Sequence, residues 1–551
     1  VQGGDRRYRS RSLVARFTGA CLDDPMSCPS KIGRTRSLEE LAALPSELLR
    51  GVTLRVALRG IGKEWRDIHN ESTKWRPHLT QPTDHFDYFL SHDWGTSGRM
   101  KYFSLLMFFN SKASALVTFL CSSFLGVLCG LEILPKTVLW LIPNHIVSLL
   151  TLFFWQYVRD VFKKRLVFLD KLCIPQQDAD LKSQCIYGLA SFLERSDTLL
   201  VLWSPRYCTR LWCMYEIGCF LLKQKQQKGV RRKAVRFLPV QMCVLWVLCY
   251  LQVAAIFVTA LVAQRVNGVF DWKTVRGQLS LAGVILIQVL VLYPTYFYIM
   301  NTMLRDVEEM PRLVRDFRLE EAECFCCSCG HKHPATMEEV ACDRQLIYEV
   351  LRHWSGESED IQTVFKSHLD QHVLPSVEQT YHSPALFMRP LMSAVLVASC
   401  PFIGDFISVE LTELIQQRNN NVFREAGLPV YVFFISLCLV RCSLLLGRLG
   451  ARRSYSHPGC VVLFQVFAFL GISMLLGVGY SLAVAFGTRT FDFRPVNLLP
   501  FVLLSVMMLW SIYLYRTNRS KWSKMSVADG DSQPSKEIKL EVTQEPADID
   551  E

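Results

Sequence analysis

The sequence has few charged residues and lacks the glycine-rich motifs by which many enzymes bind nucleotides. Only 20% of its 551 residues are charged, whereas 50% are hydrophobic, and the mean hydropathy is +0.19. This composition excludes a disordered chain, a fibrous repeat and an ordinary soluble enzyme. The sequence contains no P-loop, no dinucleotide-binding glycine fingerprint, no repeated pore motif and no nucleic-acid-binding module, so we expect no nucleic acid among its partners. It begins with Val1 rather than Met, so we expect a longer product, in which a targeting peptide cannot be judged from this sequence.

The hydrophobic residues are concentrated in runs that are long enough to cross a lipid bilayer as helices, which takes about 20 residues. The runs are Ala113–Ile133, Val138–Val158, Met242–Ala263, Leu279–Met300, Leu391–Leu411, Val430–Leu449, Cys460–Val484 and Val496–Tyr515. The second run is interrupted by Pro143 and the fifth contains Pro401 and Asp405, so these two are the weakest. The sequence therefore predicts a polytopic α-helical membrane protein with about eight spans, whose partners include membrane lipid.

Lys and Arg residues are distributed unevenly between the loops, and loops rich in these residues stay on the cytosolic side of a membrane. The basic clusters are Arg159 to Arg165, Arg231 to Arg236, Arg448 to Arg453 and Arg516 to Lys524. These clusters lie after the second span, before the third, between the sixth and seventh, and after the last. We therefore expect a multi-pass integral membrane protein with both termini in the cytosol, in a membrane that the sequence does not identify.

Three short apolar segments on the predicted cytosolic side end in small or polar residues. They are Phe86–Trp94, Leu166–Asp170 and Thr198–Ser204. Helical periodicity separates the second from the third and follows the third. Strands that alternate with helices form a parallel α/β sheet, and ligands bind at the carboxyl ends of such strands. Ser91, Asp170 and Ser204 are therefore expected at one edge of the sheet.

These patterns divide the chain into soluble and membrane regions. The regions are a basic N-terminal region (1–83), an α/β domain (84–112 and 159–241), a transmembrane hairpin inserted in that domain (113–158), spans 3 and 4 (242–303), a cytosolic helical loop with Cys and His residues (304–384), spans 5 to 8 (385–515) and an acidic disordered tail (516–551). The predicted orientation places residues 1–101, 159–237 and 301–384 in one compartment, where they can pack together.

Parts of the α/β domain resemble the TIR family, the domain of Toll and interleukin receptors, plant immune receptors and bacterial defence proteins. Phe86–His92 is similar to the first box of the family, and Asp170 with Pro175 resembles the strand and BB loop that follow. Leu202–Ile217 resembles the segment that ends in a Trp-Cys-x-x-Glu-aliphatic helix. The chain is also similar to polytopic membrane proteins of protists in which a hydrophobic hairpin interrupts a TIR-like domain. The resemblance implies a flavodoxin-like parallel sheet and self-association through this domain.

In catalytic TIR domains, the glutamate of this helix cleaves NAD between nicotinamide and ribose. The resemblance assigns that catalytic role to Glu216, with NAD as the substrate. Trp212 lies four residues earlier on the same helix face, where an indole could hold the flat nicotinamide. The candidate substrate-binding residues are Trp212, Ser91, His92, Asp170 and Ser204. Structural roles for each of these side chains stay open, because serine, histidine and aspartate at strand ends are commonly hydrogen-bonded parts of the fold.

Two other functions stay open. Some TIR domains are non-enzymatic adaptors that keep parts of this pattern, so the domain could be a self-associating scaffold in signalling. Charged residues in membrane spans can mark a transport path, and Arg441 lies well inside the sixth run. The alternative function is therefore a channel or transporter with a regulatory TIR-like domain.

The cytosolic loop after the fourth span is dense in residues that bind zinc. Cys326 and Cys329 have Cys-x-x-Cys spacing, and His331 and His333 follow. Further thiols nearby are Cys324, Cys327 and Cys342. We predict a zinc site at Cys326, Cys329, His331 and His333, with free or acylated thiols as the alternatives. We also expect this segment to be reduced and to pack near the α/β domain.

The predicted topology can be tested with a protease-sensitive tag placed after Glu551. If both termini are cytosolic, protease added outside sealed, cytosol-inside vesicles should digest the tag only after the membrane is permeabilised. Immunoblotting of the tag measures the result. Digestion in intact vesicles would contradict the eight-span topology.

Overall fold

The computed structural model describes residues 44–65, 76–175, 178–226, 234–265, 275–332, 337, 339, 342–355, 360–382, 385–416, 438–451 and 457–487. The chain divides into a main unit, Val1–Val478, and a C-terminal unit, Gly479–Glu551. All contacts described below lie within the main unit. The predicted eighth span, Val496–Tyr515, and the acidic tail (516–551) lie outside the described residues.

Six strands form one mixed sheet with the order β2-β1-β4-β3-β5-β6. The strands are β1 (Arg50–Thr53), β2 (Thr80–Pro82), β3 (Phe86–His92), β4 (Leu166–Phe168), β5 (Ser196–Trp203) and β6 (Ala234–Pro239). Strands β4, β3, β5 and β6 are parallel. Strand β1 runs antiparallel to both of its neighbours. The parallel strands agree with the sequence prediction. Strands β1 and β2 lie in the basic N-terminal region (1–83), where the sequence pattern predicts a strand at Val52–Ala57, but the structure ends β1 at Thr53 and continues as a short helix.

The helices are listed here in chain order. They are α1 (Leu54–Ala57), α2 (Gly98–Gly130), α3 (Leu141–Phe162), α4 (Asp170–Cys173), α5 (Ala179–Tyr187), α6 (Leu189–Glu194), α7 (Leu211–Gln226), α8 (Met242–Arg265), α9 (Val275–Ile287), α10 (Tyr293–Arg315), α11 (Phe325–Ser328), α12 (Asp343–Ser355), α13 (Ile361–His368), α14 (Leu374–His382), α15 (Ala385–Ile415), α16 (residues 438–451) and α17 (Pro458–Gly487). Two π-helical segments, Gln288–Leu292 and Leu369–Val373, join α9 to α10 and α13 to α14.

Aromatic side chains fill the interior between the parallel strands and their helices. The rings of Phe89 and Phe168 are stacked with centroids 4.4 Å apart, and the Phe192 ring lies 4.6 Å from that of Phe168. Residues 199–203 of β5 are all buried. A parallel strand that is covered on both faces needs a continuous apolar sequence, which is why β5 lacks the alternation of a half-exposed strand.

Among the described residues, five helices are long and apolar enough to cross a membrane. They are Gly98–Gly130, Leu141–Phe162, Met242–Thr259, Gly277–Arg315 and Leu386–Ile415. These helices correspond to the first five predicted spans, and their outer surfaces expose large apolar side chains such as Phe124, Leu150 and Leu286. Such surfaces are consistent with an integral membrane protein, because lipid can cover them. Helices α16 and α17 overlap the sixth and seventh predicted runs.

Helix α2 connects the sheet to the first predicted span without a break. The sequence predicts a span that begins at Ala113, but the structure has one helix of 33 residues that begins at Gly98. Polar pairs join α2 to α3 along this length. Asn110 Nδ2 donates to Gln156 Oε1 over 2.6 Å, and Ser114 Oγ donates to the carbonyl oxygen of Ser148 over 2.8 Å. Buried side-chain hydrogen bonds of this kind hold apolar helices together where hydrophobic burial gives little preference for one partner over another.

Helices α2 and α15 cross at glycines. A Cβ atom added at Gly404 would lie 2.5 Å from the carbonyl oxygen of Ser122, and one added at Gly126 would lie 2.3 Å from that of Gly404. Small residues at a crossing let two backbones approach closely, as in other packed apolar helices.

Gly404→Ala should therefore destabilise the helix bundle. Overpacking at such a contact costs about 1–3 kcal/mol, so we expect a lower unfolding temperature in detergent or nanodiscs, measured by intrinsic fluorescence. Gly283→Ala is the matched control, because nothing lies within 4 Å of an added Cβ there. Equal unfolding temperatures for Gly404→Ala and Gly283→Ala would show that the close approach of the two helices does not require a glycine at position 404.

Candidate functional site

Ser91 and Glu216 meet at the carboxyl ends of the central strands. Ser91 lies near the end of β3, and its hydroxyl donates a hydrogen bond to Oε2 of Glu216 on α7. The hydroxyl of Tyr207 lies 2.6 Å from Ser91 Oγ. Ser91 and Tyr207 are fully buried, whereas Glu216 is partly exposed. The carboxyl of Glu216 is therefore the group of this trio that a ligand can reach.

These residues lie at the switch point of the parallel strands. Strands β3 to β6 have the spatial order 2-1-3-4 when they are numbered along the chain. The connections leave in opposite directions from β3 and β5, and doubly wound sheets bind ligands in the crevice that this reversal opens. The fold thus places a polar cluster where such sheets hold their ligands. We call Ser91, Asp170, Tyr207 and Glu216 the strand-end site.

Asp170 provides a second carboxyl at this edge of the sheet. The indole N–H of Trp94 donates to Asp170 Oδ2 over 2.8 Å, and the backbone N–H of Lys171 donates to Oδ1 over 2.7 Å. Burial raises the pKa of Asp170, while these hydrogen bonds and the nearby charge of Lys101 act in the opposite direction. Asp170 is therefore held in a fixed orientation beside Glu216.

Burial and the neighbouring Asp170 charge raise the pKa of Glu216 to about 8, and the hydrogen bond from Ser91 opposes the shift. Glu216 is consequently protonated over much of the neutral range when no ligand is bound. Two carboxyls whose surroundings perturb their pKa values in one crevice are a typical feature of a functional site.

His92 and Ser204, two further polar side chains at the strand ends, each have a buried polar atom that the fold leaves without a hydrogen bond among the described residues. His92 Nδ1 lies 3.2 Å from the carbonyl oxygen of Leu90, and the ring packs edge-on against Trp65 and Trp94. Burial, with a contribution from Lys101, keeps the pKa of His92 well below its ordinary value, so the ring is neutral. Within the part of the chain that the structure describes, His92 Nε2 and Ser204 Oγ are buried without a hydrogen-bond partner. A polar ligand or water would satisfy such atoms.

Trp212 makes a different contact from the one that the sequence suggested. Its indole N–H donates to Oδ2 of Asp343, at the start of α12, over 3.1 Å. The side chain therefore joins α7 to the cytosolic loop. Trp212 lies one turn before Glu216, as expected, but its indole N–H forms its hydrogen bond with Asp343, away from Ser91.

The cysteines of the loop form a compact group, although its members differ from the predicted set. Cys326 Sγ lies 3.5 Å from Cys324 Sγ and 3.9 Å from Cys327 Sγ, and Cys327 Sγ lies 4.0 Å from Cys342 Sγ. We call Cys324, Cys326, Cys327 and Cys342 the thiol cluster. Hydrogen bonds from the thiols of Cys326 and Cys327 lower the pKa of Cys324.

The predicted zinc ligands are only partly brought together. Cys326 belongs to the thiol cluster, and a ring nitrogen of His331 lies within 4.8 Å of the sulfurs of Cys326 and Cys342. The Cys329 thiol instead donates to the carbonyl oxygen of Cys326 over 3.4 Å. His333 lies outside the described residues. The Cys-x-x-Cys spacing favoured Cys329, but the short helix α11 turns its thiol toward the backbone.

Comparisons with protein-family models, curated proteins and solved structures find no match to this chain.

Sequence reasoning missed several residues that complete these two sites. Tyr207, Trp94 and Lys101 lie beside Ser91 or Asp170, and Asp343 links the thiol cluster to α7. Tyr207 lies within the segment that resembles the TIR family, so that signal was available. Nothing in the sequence pattern indicated that Trp94 and Lys101 would face Asp170, because these contacts join segments that are distant along the chain.

The raised pKa of Glu216 predicts how stability depends on pH. Because the folded pKa is about 8 and the ordinary value is 4.5, the stability that this group contributes is present below about pH 4.5 and is lost as the pH rises through about 8. Between about pH 5 and pH 8.5 the wild type should therefore lose more stability than Glu216→Gln, by on the order of 1–3 kcal/mol given the partial exposure. Unfolding temperatures of the full chain in nanodiscs measure the difference.

Glu378→Gln is a matched control for this experiment. Glu378 forms an exposed ion pair with Arg315, so its variant should follow the pH dependence of the wild type. If the stability of Glu216→Gln had the same pH dependence as that of the wild type, the raised pKa of the Glu216 carboxyl would be contradicted.

Proposed function

We propose that this chain is a membrane-anchored signalling protein whose TIR-like α/β domain cleaves the N-glycosidic bond of NAD at Glu216. The observation that carries the proposal is the contact of Glu216 with Ser91 at the switch point of the parallel strands. A glutamate on a solvent-exposed helix surface would have no such hydrogen-bond partner and would not lie in a ligand-binding crevice.

The chemistry requires a carboxylate beside the ribose. As nicotinamide departs, positive charge develops on the ribosyl group, and a nearby carboxylate stabilises it, as in glycoside hydrolysis. Nicotinamide in NAD is itself cationic, so its binding favours the ionised form of Glu216 and lowers the high pKa of the unliganded site. Ser91 would then orient the carboxylate through the hydrogen bond that is already present.

Self-association forms part of this proposal. The resemblance to TIR enzymes implies that the BB loop of a second copy provides a further surface of the pocket that holds NAD, and here the corresponding loop is 171–180.

The membrane part is proposed to contain eight spans with both termini in the cytosol. Support comes from the five long apolar helices and from the basic clusters of the loops. In this arrangement the α/β lobe and the thiol cluster face the same compartment. Their direct contacts, such as the hydrogen bond from Trp212 to Asp343, agree with it.

A transport function has weaker support. One cavity lies among the predicted spans and is lined by polar residues that include Lys136, Asn144 and Asp405. Its volume is about 40 Å³. A water molecule needs roughly 10–15 Å³ by this measure, so the cavity holds a few waters and is too small for a solute.

Glu216→Ala should abolish nicotinamide release. Loss of the carboxylate should raise the barrier by on the order of 3 kcal/mol, which is a hundredfold or greater loss of rate. The assay uses the full chain at high density in liposomes, because a dispersed copy lacks the second surface. Chromatography measures nicotinamide, and the assay includes a pH above 8 so that the unliganded carboxyl is ionised.

Glu378→Ala should keep the activity of the wild type, since Glu378 lies on the exposed face of α14. If clustered wild type released no nicotinamide, or released it as fast as Glu216→Ala, the scaffold function would replace the enzymatic one. Ion or solute flux through the same liposomes would support the channel or transporter alternative.

A further inference from the structure

The thiol cluster has the dimensions of a metal site. In tetrahedral zinc sites the Zn–S distance is about 2.3 Å, which puts the sulfurs roughly 3.8 Å apart. The recorded separations between neighbouring thiols of the cluster are 3.5, 3.9 and 4.0 Å. Neighbouring sulfurs of the cluster therefore lie at separations that one zinc ion can bridge, and Cys324, Cys326 and Cys327 all lie within 4.8 Å of one another.

Groups around the cluster are those that support metal-bound thiolates. The backbone N–H of Asp343 donates to Cys326 Sγ over 3.1 Å. The side chain of Arg344 donates to the carbonyl oxygen of Ala322, two residues before Cys324, over 2.8 Å. Hydrogen bonds and positive charge near sulfur stabilise the thiolate form, which is the form that binds metal.

Other uses of these thiols fit the geometry less well. A disulfide needs sulfurs about 2.05 Å apart, and every described cysteine is free. Acylation needs an accessible thiol, whereas Cys324 and Cys326 are 2% and 0% exposed. Two buried and two partly exposed thiols that contact one another without a disulfide are most readily explained by a shared ligand.

We propose that Cys324, Cys326, Cys327 and Cys342 bind one structural zinc ion, which fastens the cytosolic loop to helix α7. Cys324 and Cys342 lie at the two ends of a segment, and zinc would close that segment into a loop. The set excludes Cys329, although its spacing from Cys326 is the one that the sequence favours.

The attachments to α7 lie directly beside the proposed ligands. On one side, the backbone N–H of Leu211 donates to the carbonyl oxygen of Glu323, and the N–H of Glu323 donates to that of Thr209. On the other side, Asp343 accepts the indole hydrogen bond of Trp212. Zinc would hold both attachments in place and so fix the first turn of the helix that carries Glu216. Because metal binding adds directly to folding free energy, its removal should loosen this contact.

Metal analysis of the purified full chain tests the proposal. We expect one zinc ion per chain in the wild type, and its loss in Cys327→Ser and in Cys342→Ser. Cys329→Ser and His331→Ala are the matched controls and should keep the metal. Retention of zinc in Cys342→Ser, or its loss in either control, would overturn the four-thiolate set.

A measurement on the wild type covers the case in which the cysteine variants fail to fold. X-ray absorption at the zinc edge should show four sulfur neighbours at about 2.3 Å. Absence of zinc, or a shell that contains nitrogen or oxygen, would contradict the proposal. Neither measurement depends on NAD cleavage. The metal-site proposal can therefore be contradicted while the proposed function stands, and the proposed function can be contradicted while the metal-site proposal stands.

Chelation should also expose the loop. We expect a strong zinc chelator to accelerate proteolysis within 316–345 at least tenfold in the wild type, with mass spectrometry locating the cuts. Cleavage at an unchanged rate after the zinc has been removed would show that the metal does not hold the loop against α7.

Discussion

The pairing of β3 with β4 depends on the closure of the helical hairpin that lies between them in the chain. The chain leaves β3, passes along α2 and returns along α3 before it can form β4. The buried hydrogen bond from Asn110 to Gln156 joins the two helices near the sheet. Sheet pairing and hairpin closure therefore constrain each other, because the same two helices link β3 to β4 in the chain. Lys101, in the first turns of α2, faces the strand-end site, so the same helix connects that site to the predicted membrane region.

Helix α7 is the element at which the two candidate sites meet. One side presents Glu216 to Ser91, and its start is attached to the loop that carries the thiol cluster. Farther along the helix, a Cβ atom at Gly218 would lie 3.0 Å from the Phe365 ring, and His368 Nε2 lies 2.8 Å from the carbonyl oxygen of Gly218. Loop helices thus cover α7 from the side opposite the sheet. A change in the loop would reach the catalytic candidate through one short, buried helix, without passing through the sheet.

Much of the site was predictable because it depends on local sequence. The parallel strands follow from short apolar segments with polar ends, and Ser91, Asp170 and Ser204 lie where such strands place them. The membership of the thiol cluster was not predictable in the same way. Spacing favoured Cys329, but which thiol turns inward depends on the backbone of α11 and on the approach of Cys342 from α12. Trp212 likewise shares a helix with Glu216, yet its hydrogen-bond partner comes from a segment 131 residues away.

The sequence by itself determined the apolar helices, three of the four parallel strands and the types of polar side chain at the ends of those strands. Those features depend on residue periodicity and composition, which act over a few turns or strand residues. Only the tertiary structure decided that β1 and β2 extend the sheet, that Glu216 lies against Ser91, and that four thiols meet beside α7. Each of these contacts joins segments distant in the chain, and its free energy depends on burial and partners that no local pattern encodes.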